Sequence, residues 1–129
     1  MHAANALIYM PKSEPWHAPE WHYRGFGLLD AMKMDVFSFG TLCLWLLFYT
    51  ASHNKRSDFF HDLNQGNKPL ALTLAQTHIM AAVELSEESR SDLHRFFQPT
   101  LAVEKSRRTL DFKLLISLIL PDRHVPLIM

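Results

Sequence analysis

The chain has 129 residues, enough for one domain and too few for two. Its 13 basic and 13 acidic side chains cancel, which argues against a dedicated nucleic-acid binder, since such proteins carry a basic excess or stripe. The single cysteine, Cys43, excludes an intramolecular disulfide framework and points to a reducing, intracellular (cytoplasmic) setting.

Residues 1–20 contain Pro11, Pro15 and Pro19 and no sustained periodicity, so an extended or irregular segment is expected. No basic region followed by an apolar block opens the chain, and no secretory leader is expected. Residues 21–31, "WHYRGFGLLDA", have room for a short helical turn but hold two glycines. His17 and His22 flank Glu20 and invite a metal reading. Their pattern is not H-E-x-x-H, and Pro19 between them opposes the helix that would align two ligands, so no metal site is expected.

The stretch "MDVFSFGTLCLWLLFYTA" (34–51) is the strongest helical signal. Asp35 is a favoured N-cap and Ser38 falls in the following turn, which predicts a helix opening at Asp35. Phe37, Phe39, Leu42, Leu44, Trp45, Leu46, Leu47 and Phe48 leave it no polar face, so it must be hidden in a core or a bilayer. The run covers about 15 residues, short of the roughly 18–20 a span needs. A core helix is therefore expected, and no membrane.

Polar residues 52–58 suggest a loop. Residues 59–69, "FFHDLNQGNKP", suggest a short helical turn broken at Gly66 and Pro69. Leu72, Ala75, Ile79, Ala82 and Val83 recur at helical spacing and predict an amphipathic helix to about Leu85. Ser86 is a candidate cap for the next helix, with Leu93, Phe96 and Phe97 inward and Pro99 as the stop. A last helix, capped by Thr109, would turn Phe112, Leu115, Leu118 and Ile119 inward and end at Pro121. With no strand alternation, hairpin dipeptide or internal repeat, the predicted class is all-α.

Two short pieces combine into a larger pattern. "PWHAPEW" contains Ala18-Pro19-Glu20, and fifteen residues after that glutamate comes Asp35, opening "DVFSFG". "LHRFFQPTLAVEKSRRTLDFKLLISLI" follows near the end. Together these resemble the end of the protein-kinase large lobe, where A-P-E closes the activation segment and D-V-W-S-x-G opens the next long helix. The phrasing is most similar to kinase-like domains of filamentous fungi. The resemblance covers residues from about 8 to 120 and implies a C-terminal lobe fragment, with helices packed around a central apolar helix.

The resemblance implies that Glu20 pairs with an arginine near the end, tying the tripeptide to the last helices. Aligned on the family's D-P-x-x-R-P, Glu104 takes the aspartate place and Arg108 the arginine place. Arg107-Arg108-Thr109 replaces the family's Arg-Pro, so both Arg107 and Arg108 are candidates. It implies for Asp35 the carboxylate that accepts hydrogen bonds from the catalytic-loop backbone, though capping its own helix would serve equally. The segment "PKSEPW" would lie where a peptide substrate docks.

The 129 residues hold no Gly-rich loop, no V-A-I-K lysine, no H-R-D-x-x-x-x-N and no D-F-G. Those parts hold ATP and magnesium and supply the catalytic base in the family. No catalytic, cofactor-binding or metal-binding residue is therefore expected in this chain. Expected instead is a non-catalytic lobe with an uncovered apolar surface, bound by another protein, or the end portion of an active kinase.

Overall fold

The computed structural model describes residues 6–50, 59, 61–63 and 65–119. The loop predicted at 52–58 and the stop at Pro121 lie outside the described residues. Among the described residues an irregular N-terminal segment precedes four bounded α-helices, α1 (Leu28–Phe48), α2 (Ala71–Ala81), α3 (Glu87–Phe97) and α4 (Phe112–Ile119), and Phe59, His61 and Asp62 are also helical. 3-10 helices at Gln65–Leu70 and Lys105–Arg107 complete the framework. No strand occurs among the described residues, only an isolated bridge between Ile8 and Phe26, so the chain is helical as its periodicity implies.

α1 corrects the sequence expectation at its start. It begins at Leu28, seven residues before Asp35, with Gly27 at the N-cap and no side-chain cap. Leu28 to Met34, "LLDAMKM", are good helix formers, so the helix propagates backward through them and Asp35 becomes an interior residue. Gly25 just upstream has φ of +94°, a left-handed turn that a side chain would strain. The result is a 21-residue helix, about 31 Å long.

By length and composition α1 reaches what a membrane span requires, with a mean hydropathy of 1.4 over 18 residues. In the fold, however, Met34, Val36, Phe37, Cys43 and Leu44 are buried against the other elements. Burial pushes the Cys43 thiol up to about 11, which leaves it a protonated, inert core group.

α1 packs on α2 and on the 3-10 helix at Lys105–Arg107, and its Phe39 ring meets Phe96 of α3 and Phe112 of α4. α2 buries Ala71, Ala75 and Ile79 at the predicted spacing, but ends at Ala81, and Val83 lies beyond it, exposed. The 3-10 helix runs through Gly66 and Pro69, where a break was expected. Ser86 caps α3, its Oγ accepting from the Ser89 amide at 3.1 Å. Leu93, Phe96 and Phe97 are buried as expected, and α3 packs on both α2 and α4. Asp111, rather than Thr109, receives the Leu114 amide at 3.0 Å at the head of α4. Leu115 and Leu118 of α4 are buried, whereas Phe112, expected inward, is 37% exposed.

α1 meets the Phe97–Leu101 corner at Gly40. A Cβ built there would stand 2.7 Å from Thr100 Oγ1 and 2.8 Å from Leu101 Cδ2. The glycine thus permits close contact between helix and corner. At its C-terminus α1 is tied to α2: Tyr49 donates to Asp62 at 3.0 Å, and His78 Nε2 lies 2.7 Å from the Tyr49 hydroxyl.

Candidate functional site

Of the residues singled out by sequence, Ala18, Pro19, Glu20 and Arg108 come together beside Lys33 and Phe37 of α1. Ala18 is fully buried, and its carbonyl accepts from the Trp21 amide at 3.2 Å, closing a turn around Pro19 and Glu20. That turn aims the Glu20 carboxylate at Arg108, 88 residues later. Arg108 Nη1 donates to Glu20 Oε2 at 2.5 Å and Nη2 donates to Oε1 at 2.9 Å. This is the bidentate fork geometry that suits a guanidinium to a carboxylate.

The remaining guanidinium donors are also used. Nε donates to the Ala102 carbonyl at 2.8 Å, Nη1 also reaches the Lys33 carbonyl at 3.3 Å, and Nη2 the Val103 carbonyl at 3.2 Å. Its five N–H donors therefore all have acceptors. The Phe37 ring lies beneath, 4.9 Å from Cζ. One side chain, itself buried, thus joins the tripeptide, α1 and the 102–103 segment. Arg107 is exposed and, with Glu104, lines a separate groove of ≈ 530 Å³, so the geometry selects Arg108 between the two candidates.

Asp35 is not brought to this pair. It faces outward from the middle of α1, makes no hydrogen bond or ion pair with a described residue, and so does not cap its helix. It stands at a cavity of ≈ 210 Å³ shared with Met10, Trp16, His17, Trp21 and Ser38. Although its outer side meets solvent, desolvation by its surroundings raises its carboxyl above the usual range.

Ser38, Thr41 and Lys68 make hydrogen bonds beside this cavity, and those of Ser38 and Lys68 have no signal in the sequence. Ser38 Oγ donates to the Trp16 carbonyl at 2.9 Å, and Thr41 Oγ1 donates to the Ser38 carbonyl at 2.8 Å. Lys68 is buried, with Nζ donating to the Pro15 carbonyl and, at 2.7 Å, to that of His17. The partners of Ser38 and Lys68 lie 22 and more than 50 residues away in the chain, so no local pattern reveals them.

His17 and His22 do not converge on a metal. No group of three or more His, Cys, Asp or Glu able to hold an ion occurs among the described residues. His22 packs on Phe26 with ring centroids 4.3 Å apart. His17 is 5% exposed, and its Nδ1 has no hydrogen-bond partner among the described residues. Its Nε2 lies 4.0 Å from Glu14 Oε1.

Burial, then the Lys68 charge, lowers the His17 pKa from 6.5; Glu14 opposes this and Lys12 adds to it. Burial likewise lowers Lys68 to about 8, against the pull of Glu14. Both are bases that protonate more readily in the unfolded chain. For His17 the native state therefore loses stability as pH falls below 6.5. For Lys68 stability rises as pH climbs from about 8 to 10.5, the range where only the unfolded chain keeps the proton. Urea unfolding across pH 5 to 10.5 should show both slopes, and His17→Phe should flatten the acidic one while leaving the alkaline one.

No protein-family model, no curated protein and no solved structure matches the chain.

Proposed function

We propose that this chain is the C-terminal lobe of a protein-kinase-like domain acting as a non-catalytic, protein-binding unit. The observation that carries this reading is the fork between Glu20 of Ala18-Pro19-Glu20 and Arg108, spanning 88 residues across the foot of an apolar helix. The chain order of tripeptide, Asp-Val-Phe-Ser helix, Phe-Phe helix and late arginine supports it. The 129 residues carry none of the groups that bind nucleotide and magnesium, so its own chemistry is recognition.

The recognition surface is α1. Leu28, Leu29, Met32, Leu42, Leu46 and Leu47 are each 37% exposed or more, along a helix whose opposite side is core. We take this apolar exposure toward both ends of one helix as an interaction surface. It equally favours a second reading: the lobe is the end of an active ATP- and magnesium-dependent kinase whose preceding part covers that face. The in-frame nucleotide sequence ahead of the Met1 codon separates the two. Codons for H-R-D and D-F-G there support the enzyme, and stop codons support the binding unit.

Titration of the purified chain with a fluorescent ATP analogue and magnesium tests the non-catalytic reading. No saturable signal is expected. Magnesium-dependent saturation would overturn it.

A further inference from the structure

The exposed residues of α1 are not scattered. Leu28, Met32, Asp35, Phe39, Leu42 and Leu46 follow one another at intervals of four, three, four, three and four. That is the 3.5-residue spacing of a seam that packs against another helix. All except Phe39 are exposed, and Phe39 is partly buried where it meets Phe96 and Phe112. From Leu28 to Leu46 the seam is about 27 Å long and gives a partner helix nearly three heptads to engage.

Asp35 interrupts this seam near its middle, and its carboxylate has no partner among the described residues. Covering it with an apolar side chain would bury a charge unpaired, which is costly. A second copy of α1 supplies no remedy. Pairing in parallel sets Asp35 against Asp35, and antiparallel pairing of Leu28 with Leu46 sets it against Phe39. A partner helix uses its own backbone N–H groups internally, so it can satisfy this carboxylate only through a side chain, and a cation does so most strongly. The cavity beside Asp35 has space for a long basic side chain, with Trp16, Trp21 and Met34 to hold its stem. His17 Nδ1, orphaned in the same wall, offers a neutral ring an acceptor for a further N–H.

We infer that α1 docks an amphipathic helix of a partner protein, apolar at heptad spacing, with one arginine or lysine at its centre paired to Asp35. This rests on the reading of α1 as a protein-docking face. Two cations touch residues of this cavity: Lys12 lies over the Trp21 ring, 5.6 Å from its centroid, and Lys68 is engaged by two backbone carbonyls, one of them that of His17. Neither neutralises Asp35, so the seam retains a net demand for positive charge.

The test uses the full chain and labelled helical peptides of about three heptads with leucine along the seam and arginine, norleucine or glutamate at the central position. By fluorescence anisotropy the arginine peptide should bind at least about ten-fold tighter than the glutamate peptide. Asp35→Asn should erase that difference, and Leu46→Asp should weaken all three peptides. Both positions are exposed, so neither change disturbs the core. Equal binding of all three peptides would overturn the central cation while leaving the docking face in place. No binding of any peptide would overturn both. Dimerisation by sedimentation that Leu46→Asp abolishes, or insertion into neutral lipid vesicles, would overturn the partner helix in favour of a second copy or a membrane.

Discussion

Arg108→Ala should lower the stability of the chain by about 3–5 kcal/mol, the usual cost of removing one partner from a buried ion pair. The loss has several sources. Glu20 would keep its charge with only a quarter of its side chain in water. The carbonyls of Lys33, Ala102 and Val103 would each lose a donor. The Phe37 ring would lose the guanidinium that covers it. Arg108→Lys should recover little, because one ammonium has three donors and no fork. Arg107→Ala, a change to the exposed side chain that ends the 3-10 helix just before Arg108, should stay within about 0.5 kcal/mol. Urea unfolding followed by circular dichroism measures all three. Equal losses at Arg107 and Arg108 would mean that the fork is not what holds the 18–21 turn to the 102–108 segment.

Gly40→Ala should also destabilise, by about 1–3 kcal/mol, although alanine is the better helix former by roughly 1 kcal/mol. The sign depends on whether Thr100 can give way. It is fully buried, and its Oγ1 is engaged with the Phe96 and Phe97 carbonyls at 3.1 and 3.2 Å. With a Cβ only 2.7 Å from that oxygen, α1 would have to move off the corner. Gly27→Ala is the control, since a Cβ there meets nothing within 4 Å, and it should change stability by no more than about 1 kcal/mol. Stabilisation by Gly40→Ala would show that the helix and the Phe97–Leu101 corner are not in close contact.

The helices that sequence located best are those whose signals are local. Ser86 and the Leu93, Phe96, Phe97 face were legible because a cap and an i, i+3, i+4 stripe are read within one helix. The start of α1 was not. A glycine N-cap offers no side-chain signal, while Asp35 offers a strong one that the fold does not use. Phe112 was expected inward on periodicity alone, yet the short α4 turns only Leu115 and Leu118 fully to the core.

The site divides along the same line. Charge and composition would leave Glu20 and Arg108 as two unrelated residues; only the motif order suggested a pair, and it left Arg107 in contention. What separates the two arginines is burial, which depends on how the 102–103 segment folds back on α1. Lys68 was invisible for a related reason. A lysine in a polar stretch normally reads as solvated, and its burial is set by two carbonyls supplied from more than 50 residues away.

The central expectation is that Glu20 and Arg108 act as one unit tying the turn at residues 18–21 to the 102–108 segment. A double-mutant cycle with Glu20→Gln and Arg108→Met, read by urea unfolding, tests it most directly. The expected result is a coupling of about 2 kcal/mol or more, with the double variant more stable than the sum of the single losses. Losses that add within about 0.5 kcal/mol would contradict it.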